Sequence, residues 1–229
     1  MLIGGCGNQS PHSGRIPFRL MEEPPESEGE PMALVLEHDQ KDGVPSQRLL
    51  DSIRPGDVIA FHMSHADAWG YLRKGTIQKI PYELFRYGHI ALVVPDPLDA
   101  RLPAEPRLLQ IAMKQAANAT EGLDYLNDKS WHVYRPPAGS VDVAKLHEFT
   151  RRVTVTAGDP KKAYDYKGIL AIDNAPCEPA SLAEIGDKYS CATLVVAGLH
   201  YSGYPLDALH RGGRFDLVTP RQVVESGAR

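Results

Sequence analysis

Four short apolar runs, Val58–His62, His89–Val94, Leu108–Met113 and Trp131–Tyr134, follow one another before either of the long helical patterns of the chain. Runs of this length bounded by turn signals read as buried strands. Strands first and helices afterwards is the order of an α+β fold. The first run is preceded by Arg54-Pro55-Gly56-Asp57, in which Pro and Gly set a turn and Asp is able to bond nearby amides. The last is closed by Arg135-Pro136-Pro137, because proline cannot donate to a ladder. Ala33–Glu37 reads as a short strand or extended lead-in, and Ser46–Ile53 as a short helix. Leu146, Phe149 and Val153, with Val143, recur three or four apart and predict a helix running to about Val155, with Ser140 as its N-cap. Tyr164-Asp165-Tyr166 then leads through a Pro-rich loop to a helix beginning at Cys191. Leu217–Val224 closes the chain as a short strand and a capped helical turn, and no internal repeat is present.

With 229 residues, 42% of them apolar, the chain is long enough to bury its core without metal or disulfide staples. We therefore expect a single domain over residues 33–229. A formal charge of -4 with scattered Lys and Arg argues against a nucleic-acid platform, leaving small ligands or neutral polymers as the expected partners. No apolar run approaches the roughly 18 residues that a membrane span requires.

Residues 1–32 read separately. Ile3-Gly4-Gly5-Cys6 resembles the lipobox of a bacterial lipoprotein, which makes Cys6 a lipidation candidate and the membrane a tethering surface. The charged start and the apolar stretch of about 7 to 15 residues expected of a signal peptide are missing, a gap that a start assigned too late accounts for. The other reading is a flexible N-terminus that happens to contain Gly-Gly-Cys-Gly. The following acidic, Pro-rich stretch through Glu22–Pro31 is a tether in either case, since it has too little apolar content to form a core. A lipoprotein start places the protein in the bacterial cell envelope; without it the protein is cytoplasmic.

Two residues stand out chemically. Cys191 lies where the polar turn Tyr189-Ser190 runs into the apolar pattern Ala192–Leu199. A thiol at a helix N-terminus feels the positive end of the helix dipole, which favours thiolate. His89 enters a buried strand, and a cysteine on a helix with a histidine on a strand makes a nucleophile–base pair when the two meet. His62 and His65 invite a metal reading with His89, but no Asp or Glu completes a recognisable ligand spacing, so neither metal nor cofactor is expected. Cys177 opens a further alternative, a disulfide to Cys191 that would block the nucleophile. The aromatic residues Trp69, Tyr71, Tyr82 and Phe85, within 62 to 86, form either a substrate wall or lid or ordinary packing.

An ordered set of motifs resembles the circularly permuted papain-fold cysteine hydrolases, the YiiX-like or permuted NlpC-like amidases related to lecithin retinol acyltransferase. These are Arg54–Ile59, Gly88–Val93, Val133-Tyr134-Arg135-Pro136, Tyr164-Asp165-Tyr166, Tyr189–Val195 and Thr219-Pro220, together spanning roughly Leu50 to Glu225. The histidine precedes the cysteine, the reverse of the usual papain order. The resemblance implies a small antiparallel β-barrel or sheet packed against helices, with the nucleophile helix C-terminal to the strands. It also implies Cys191 as nucleophile, His89 as base and a third polar residue on the next strand, where Gln110 is the only polar side chain in Leu108–Ala112. An amide there can hold the imidazole tautomer but brings no negative charge. Thr193 stands where many relatives have Glu. The Cys191 amide at the helix start is suited to an oxyanion, with Tyr166 and Tyr189 as further phenolic candidates, although buried tyrosines more often serve as core residues.

The expected activity is hydrolysis of an amide or ester through a thioacyl-enzyme, with a peptide, lipid or small-molecule acyl substrate, and the lipoprotein-like start favours an envelope substrate. The alternatives are an acyltransferase that uses the same intermediate and a non-catalytic binding module.

Overall fold

The computed structural model describes residues 30–62, 86–99, 104–166, 173–174, 178–206 and 216–225. Cys6, Cys177, His65 and the aromatic residues Trp69, Tyr71, Tyr82 and Phe85 lie outside them.

Six strands form one antiparallel sheet: β1 (Ala33–His38), β2 (Val58–His62), β3 (Tyr87–Pro95), β4 (Pro106–Gln110), β5 (Asn118–Glu121) and β6 (Trp131–Arg135). Their spatial order is β1-β6-β2-β3-β4-β5, so β6 returns to lie between the first two strands. Helices α1 (Gln47–Leu50), α2 (Val143–Thr156), α3 (Cys191–Tyr201) and α4 (Pro220–Glu225) complete the main elements. A two-residue parallel pair, β7 (Asp173–Asn174) with β8 (Asp216–Leu217), stands apart from the sheet. The protein is thus α+β, and α3 follows all six strands of the large sheet.

The sheet is open, with β1 and β5 at its edges, and does not close into a barrel. Burial explains why closure is unnecessary. Val58 and Ala60 of β2 join a core with Leu92, Phe149, Leu194 and Val195, whereas Ile59 and Phe61 join a second core with Leu50, Ile53, Leu126 and Trp131. Successive side chains on a strand point to opposite faces, so these two cores lie on the two sides of the sheet. A strand buried on both faces needs apolar residues throughout, which is why β2 and β3 read as continuous apolar runs instead of alternating ones.

Local chemistry sets the boundaries, and in three places it differs from the pattern. The helix α2 is capped by Asp142, whose carboxylate accepts from the amides of Ala144 at 2.9 Å and Lys145 at 3.1 Å. Ser140, the expected cap, instead donates to the Pro137 carbonyl at 2.7 Å. A carboxylate also complements the helix dipole, so Asp142 is the better cap. Strand β4 ends at Gln110 instead of Met113, because the chain turns at Met113–Lys114 and Lys114 adopts a left-handed φ of 64°. Strand β5, Asn-Ala-Thr-Glu, carried no strand signal; its polar residues suit an edge, and pairing with β4 creates it. The expected closing element is present: Thr219 and Gln222 bond reciprocally at the start of α4, with the Thr219 amide donating to Gln222 Oε1 at 2.9 Å.

The Arg54–Asp57 turn is held from both sides. Gly56 takes a φ of +96°, which glycine tolerates without strain. Asp57, 1% exposed, accepts the Arg54 amide at 3.0 Å and receives Arg135 Nε and an Arg135 terminal nitrogen, both at 2.7 Å. That fork ties the entry of β2 to the end of β6, and Arg135 also donates to the Ser52 carbonyl at 2.8 Å. The Pro-Gly-Asp and Tyr-Arg-Pro motifs, distant in sequence, are two halves of one buried ion pair.

Helix α3 is buried along most of its length and packs on β3 and α2. Gly198 permits this approach: a Cβ there would fall 2.6 Å from Leu92 Cδ2 and 3.2 Å from Phe149 Cε1. Alanine in place of Gly198 gains about 1 kcal/mol of helix propensity but forces a closed core apart at a cost of about 1–3 kcal/mol. Gly198→Ala is therefore expected to lower the urea midpoint; an unchanged or higher midpoint would show that Leu92 moves aside freely.

Candidate active site

Cys191 is the first residue of α3, and the sequence around it sets that start. Ser190 Oγ accepts the Thr193 amide at 3.1 Å while Thr193 Oγ1 accepts the Ser190 amide at 2.8 Å, a reciprocal capping box. Thr193 is buried and spent on the cap. The preceding residues are pinned as well: Tyr189 pairs in parallel with Tyr164, its amide donating to the Ala163 carbonyl at 2.8 Å while the Asp165 amide donates to its carbonyl at 3.0 Å. At the first turn of α3 the Thr193 amide is taken by the cap and the Ala192 amide lies against the sulfur, which leaves the Cys191 N–H as the leading amide beside the sulfur with no carbonyl partner within the helix.

His89 comes from β3, directly opposite Phe61 of β2. The two rings stack with centroids 5.6 Å apart and planes at 25°. On the other side, His89 Nε2 meets Gln110 Oε1 at 3.0 Å. Leu92 faces Leu109 in the β3–β4 ladder, so Gln110 falls one pair further on, diagonal to His89 on the same face. An amide oxygen only accepts, so Nε2 carries the proton in the neutral ring and Nδ1 is left as the basic nitrogen.

The fold brings the Cys191 thiol to this imidazole. Burial opposes the Cys191 thiolate, but the facing His89 ring and the amides of Ile90 and Ala192 outweigh it and hold the thiol below its ordinary pKa. For His89, burial works against the imidazolium, and the facing Cys191 with a smaller contribution from Gln110 overcomes it, so its pKa is raised. Both directions favour a thiolate–imidazolium pair, the state that a nucleophilic cysteine requires. Cys191 is a free thiol and 9% exposed. Cys177, its possible disulfide partner, and Cys6 lie outside the described residues.

The two tyrosines are not brought to the pair. Tyr166 is exposed, its ring edge-on to Tyr164 with centroids 4.9 Å apart. Tyr189 is fully buried, and burial pushes its phenol well above the usual range, with the Gly186 backbone and Asp187 as its polar surroundings. It packs as a core residue beside the cysteine.

A second polar cluster escaped the sequence patterns. Tyr87 Oη lies 2.8 Å from His132 Nδ1 and 2.7 Å from Tyr134 Oη, and the His62 ring stands edge-on to His132 with centroids 4.2 Å apart. Burial, with the neighbouring His62 and Arg86 charges, brings His132 down to about 4, which leaves it neutral and able to accept from Tyr87 near neutral pH. His62 thus turns to His132 and Tyr87, while His89 turns to Gln110 and Phe61. Among the described residues no three His, Cys, Asp or Glu side chains form a metal-binding group, and no helix is long and apolar enough to cross a membrane. The pattern gave no hint of the Phe61 stack either, because a phenylalanine in a strand signals only burial until the β2–β3 register is known.

Comparison of the chain with protein-family models, with curated proteins and with solved structures finds no match. The geometry makes its own prediction. Alkylation of Cys191 by iodoacetamide, followed across pH by peptide mass spectrometry, is expected to set in below the pH of an ordinary thiol. His89→Ala removes the stabilising positive charge and moves the onset upward, and Gln110→Ala moves it upward by less. An onset that ignores His89→Ala would dissolve the pair.

Proposed function

We propose that this protein is a cysteine hydrolase with a permuted papain-like arrangement, opening an amide or ester bond through a thioacyl-enzyme. The carrying observation is the convergence of Cys191 at a helix start, His89 on a strand and Gln110 on its neighbour. The chain order, with histidine and amide on strands that precede the cysteine helix, fits the permuted arrangement. The motif resemblance supports the same reading independently of the site geometry.

In this mechanism His89 Nδ1 takes the Cys191 proton, and the sulfur adds to the substrate carbonyl carbon. The Cys191 amide at the start of α3 donates to the oxygen as it gains negative charge. The imidazolium then returns its proton to the leaving nitrogen or oxygen as the C–N or C–O bond breaks, leaving an acyl group on sulfur. Water enters, His89 takes a proton from it, and collapse of the second tetrahedral intermediate releases the carboxylic acid and the thiol. Gln110 holds the ring in the Nε2–H tautomer throughout.

A peptide, lipid or small-molecule acyl group is the proposed substrate class, with the cell envelope as its setting if Cys6 is lipidated. The same thioacyl intermediate would serve a transferase, and an acceptor amine added in competition with water separates the two.

A chromogenic acyl ester tests the reading. The wild-type protein is expected to release product in a burst and carry an acyl adduct on Cys191 in intact-mass and peptide analysis. Cys191→Ala abolishes burst and adduct, and His89→Ala slows acylation by roughly 10²-fold or more. Undiminished turnover in Cys191→Ala would overturn the proposal.

A further inference from the structure

We propose that Phe61 is a positioning residue for His89, its ring face holding the imidazole in register and adding to the stabilisation of the imidazolium, to which the uncharged Gln110 contributes less than a carboxylate would. This rests on the reading of Cys191 and His89 as the reacting pair.

In the usual arrangement of a nucleophile, a base and an orienting group, a carboxylate both fixes the imidazole and balances its positive charge. Gln110 does the first and, being uncharged, supplies only a small part of the second. A neutral orienting group leaves the partly buried imidazolium to rely on the Cys191 thiolate for counter-charge, and burial is the influence that most opposes it. The neighbouring strand supplies a different electrostatic partner. Phe61 lies directly across the ladder from His89, and its ring stacks on the imidazole at 5.6 Å and 25°. The face of a benzene ring carries negative potential, so a cation held against it is stabilised, more strongly where water is excluded. Phe61 is buried, which keeps water from that contact.

The stack also restricts rotation. A turn of the imidazole about its χ2 axis breaks the Nε2 contact with Gln110 and changes the face that it offers to Cys191. A flat neighbour on one face resists that turn. Phe61 is itself held: the Tyr125 ring stands edge-on to it with centroids 6.0 Å apart and planes at 86°, an arrangement that aromatic pairs favour. Lys129 Nζ sits 4.0 Å from the centroid of Tyr125 and completes the row. A line of contacts therefore runs from the surface through Tyr125 and Phe61 to His89.

The test compares bulk with π character. Phe61→Leu keeps an apolar side chain but removes the ring face, whereas Phe61→Trp keeps a face of stronger negative potential. The readout is the pH onset of Cys191 alkylation by iodoacetamide, with His89→Ala measured alongside. Phe61→Leu is expected to raise the onset by roughly half to one pH unit, the size of a partly desolvated cation–π contact. Phe61→Trp is expected to hold it near the wild-type value. Tyr125→Leu, at a half-buried site where the fold tolerates change, is expected to move it in the same direction by less. Should Phe61→Leu not fold, the Tyr125→Leu and Phe61→Trp profiles carry the test alone. An upward shift with His89→Ala but none with Phe61→Leu or Tyr125→Leu overturns the role of Phe61 and leaves the pair intact. Equal shifts for Phe61→Leu and Phe61→Trp likewise overturn it, since packing would then account for both. No shift with His89→Ala defeats the pair itself.

Discussion

The close docking of α3 on β3 is the contact on which the remaining chemistry depends. Cys191 sits at one end of that contact and Gly198 at the other, two turns along the same helix. A Cβ at Gly198 would fall 2.6 Å from Leu92 Cδ2 and 3.2 Å from Phe149 Cε1, so a side chain there requires these neighbours or the helix to shift. The Ser190–Thr193 cap fixes where the helix begins, and the isolated Tyr164–Tyr189 bridge fixes where the preceding segment delivers it. The sulfur is thereby located from both directions along the chain. His89 is located with equal firmness, on a central strand hydrogen-bonded to β2 and β4.

The site is notable for what balances the imidazolium. Its orienting residue is an amide, and the charge of the thiolate is the principal influence favouring a protonated ring. Such a pair is mutually dependent: each ion stabilises the other, and losing one removes most of the reason for the second to be charged. The amides of Ile90 and Ala192 add fixed dipoles that favour the thiolate regardless of the state of the histidine. This division makes the cysteine the better-stabilised member of the pair, and the histidine the member more sensitive to its surroundings.

Around the pair, the frame is built from contacts that serve packing. The Asp57–Arg135 fork joins the turn motif before β2 to the motif that ends β6. Thr193, at a position that the resemblance associates with a glutamate, is occupied by the helix cap. Tyr189 is buried in the same core as the cysteine. Motif residues near a site divide in this way into those that hold the backbone and those that reach the reacting atoms, and only the side-chain contacts tell them apart.

Much of this was legible in the residues. The apolar runs at β2, β3 and β6, the helical spacing of Leu146, Phe149 and Val153, and the polar-to-apolar step at Ser190-Cys191 are local patterns with local causes: strand burial, helix periodicity and capping. Gln110 was identifiable as the only polar side chain of its run. Strand β5 was not legible, because a polar edge strand exists through its neighbour; nor was the cap at Asp142, since two adequate capping residues lie close together there. Sequence alone determined most of the elements, β5 excepted, and which side chains are chemically able to react, for these follow from short-range sterics, hydrogen bonding and hydrophobic period. Tertiary structure decided that β6 inserts between β1 and β2, that the sheet stays open, that Asp57 finds Arg135, and that Phe61 lies across from His89. Those outcomes depend on register and on the packing of residues far apart in the chain, whose relative positions no local pattern contains.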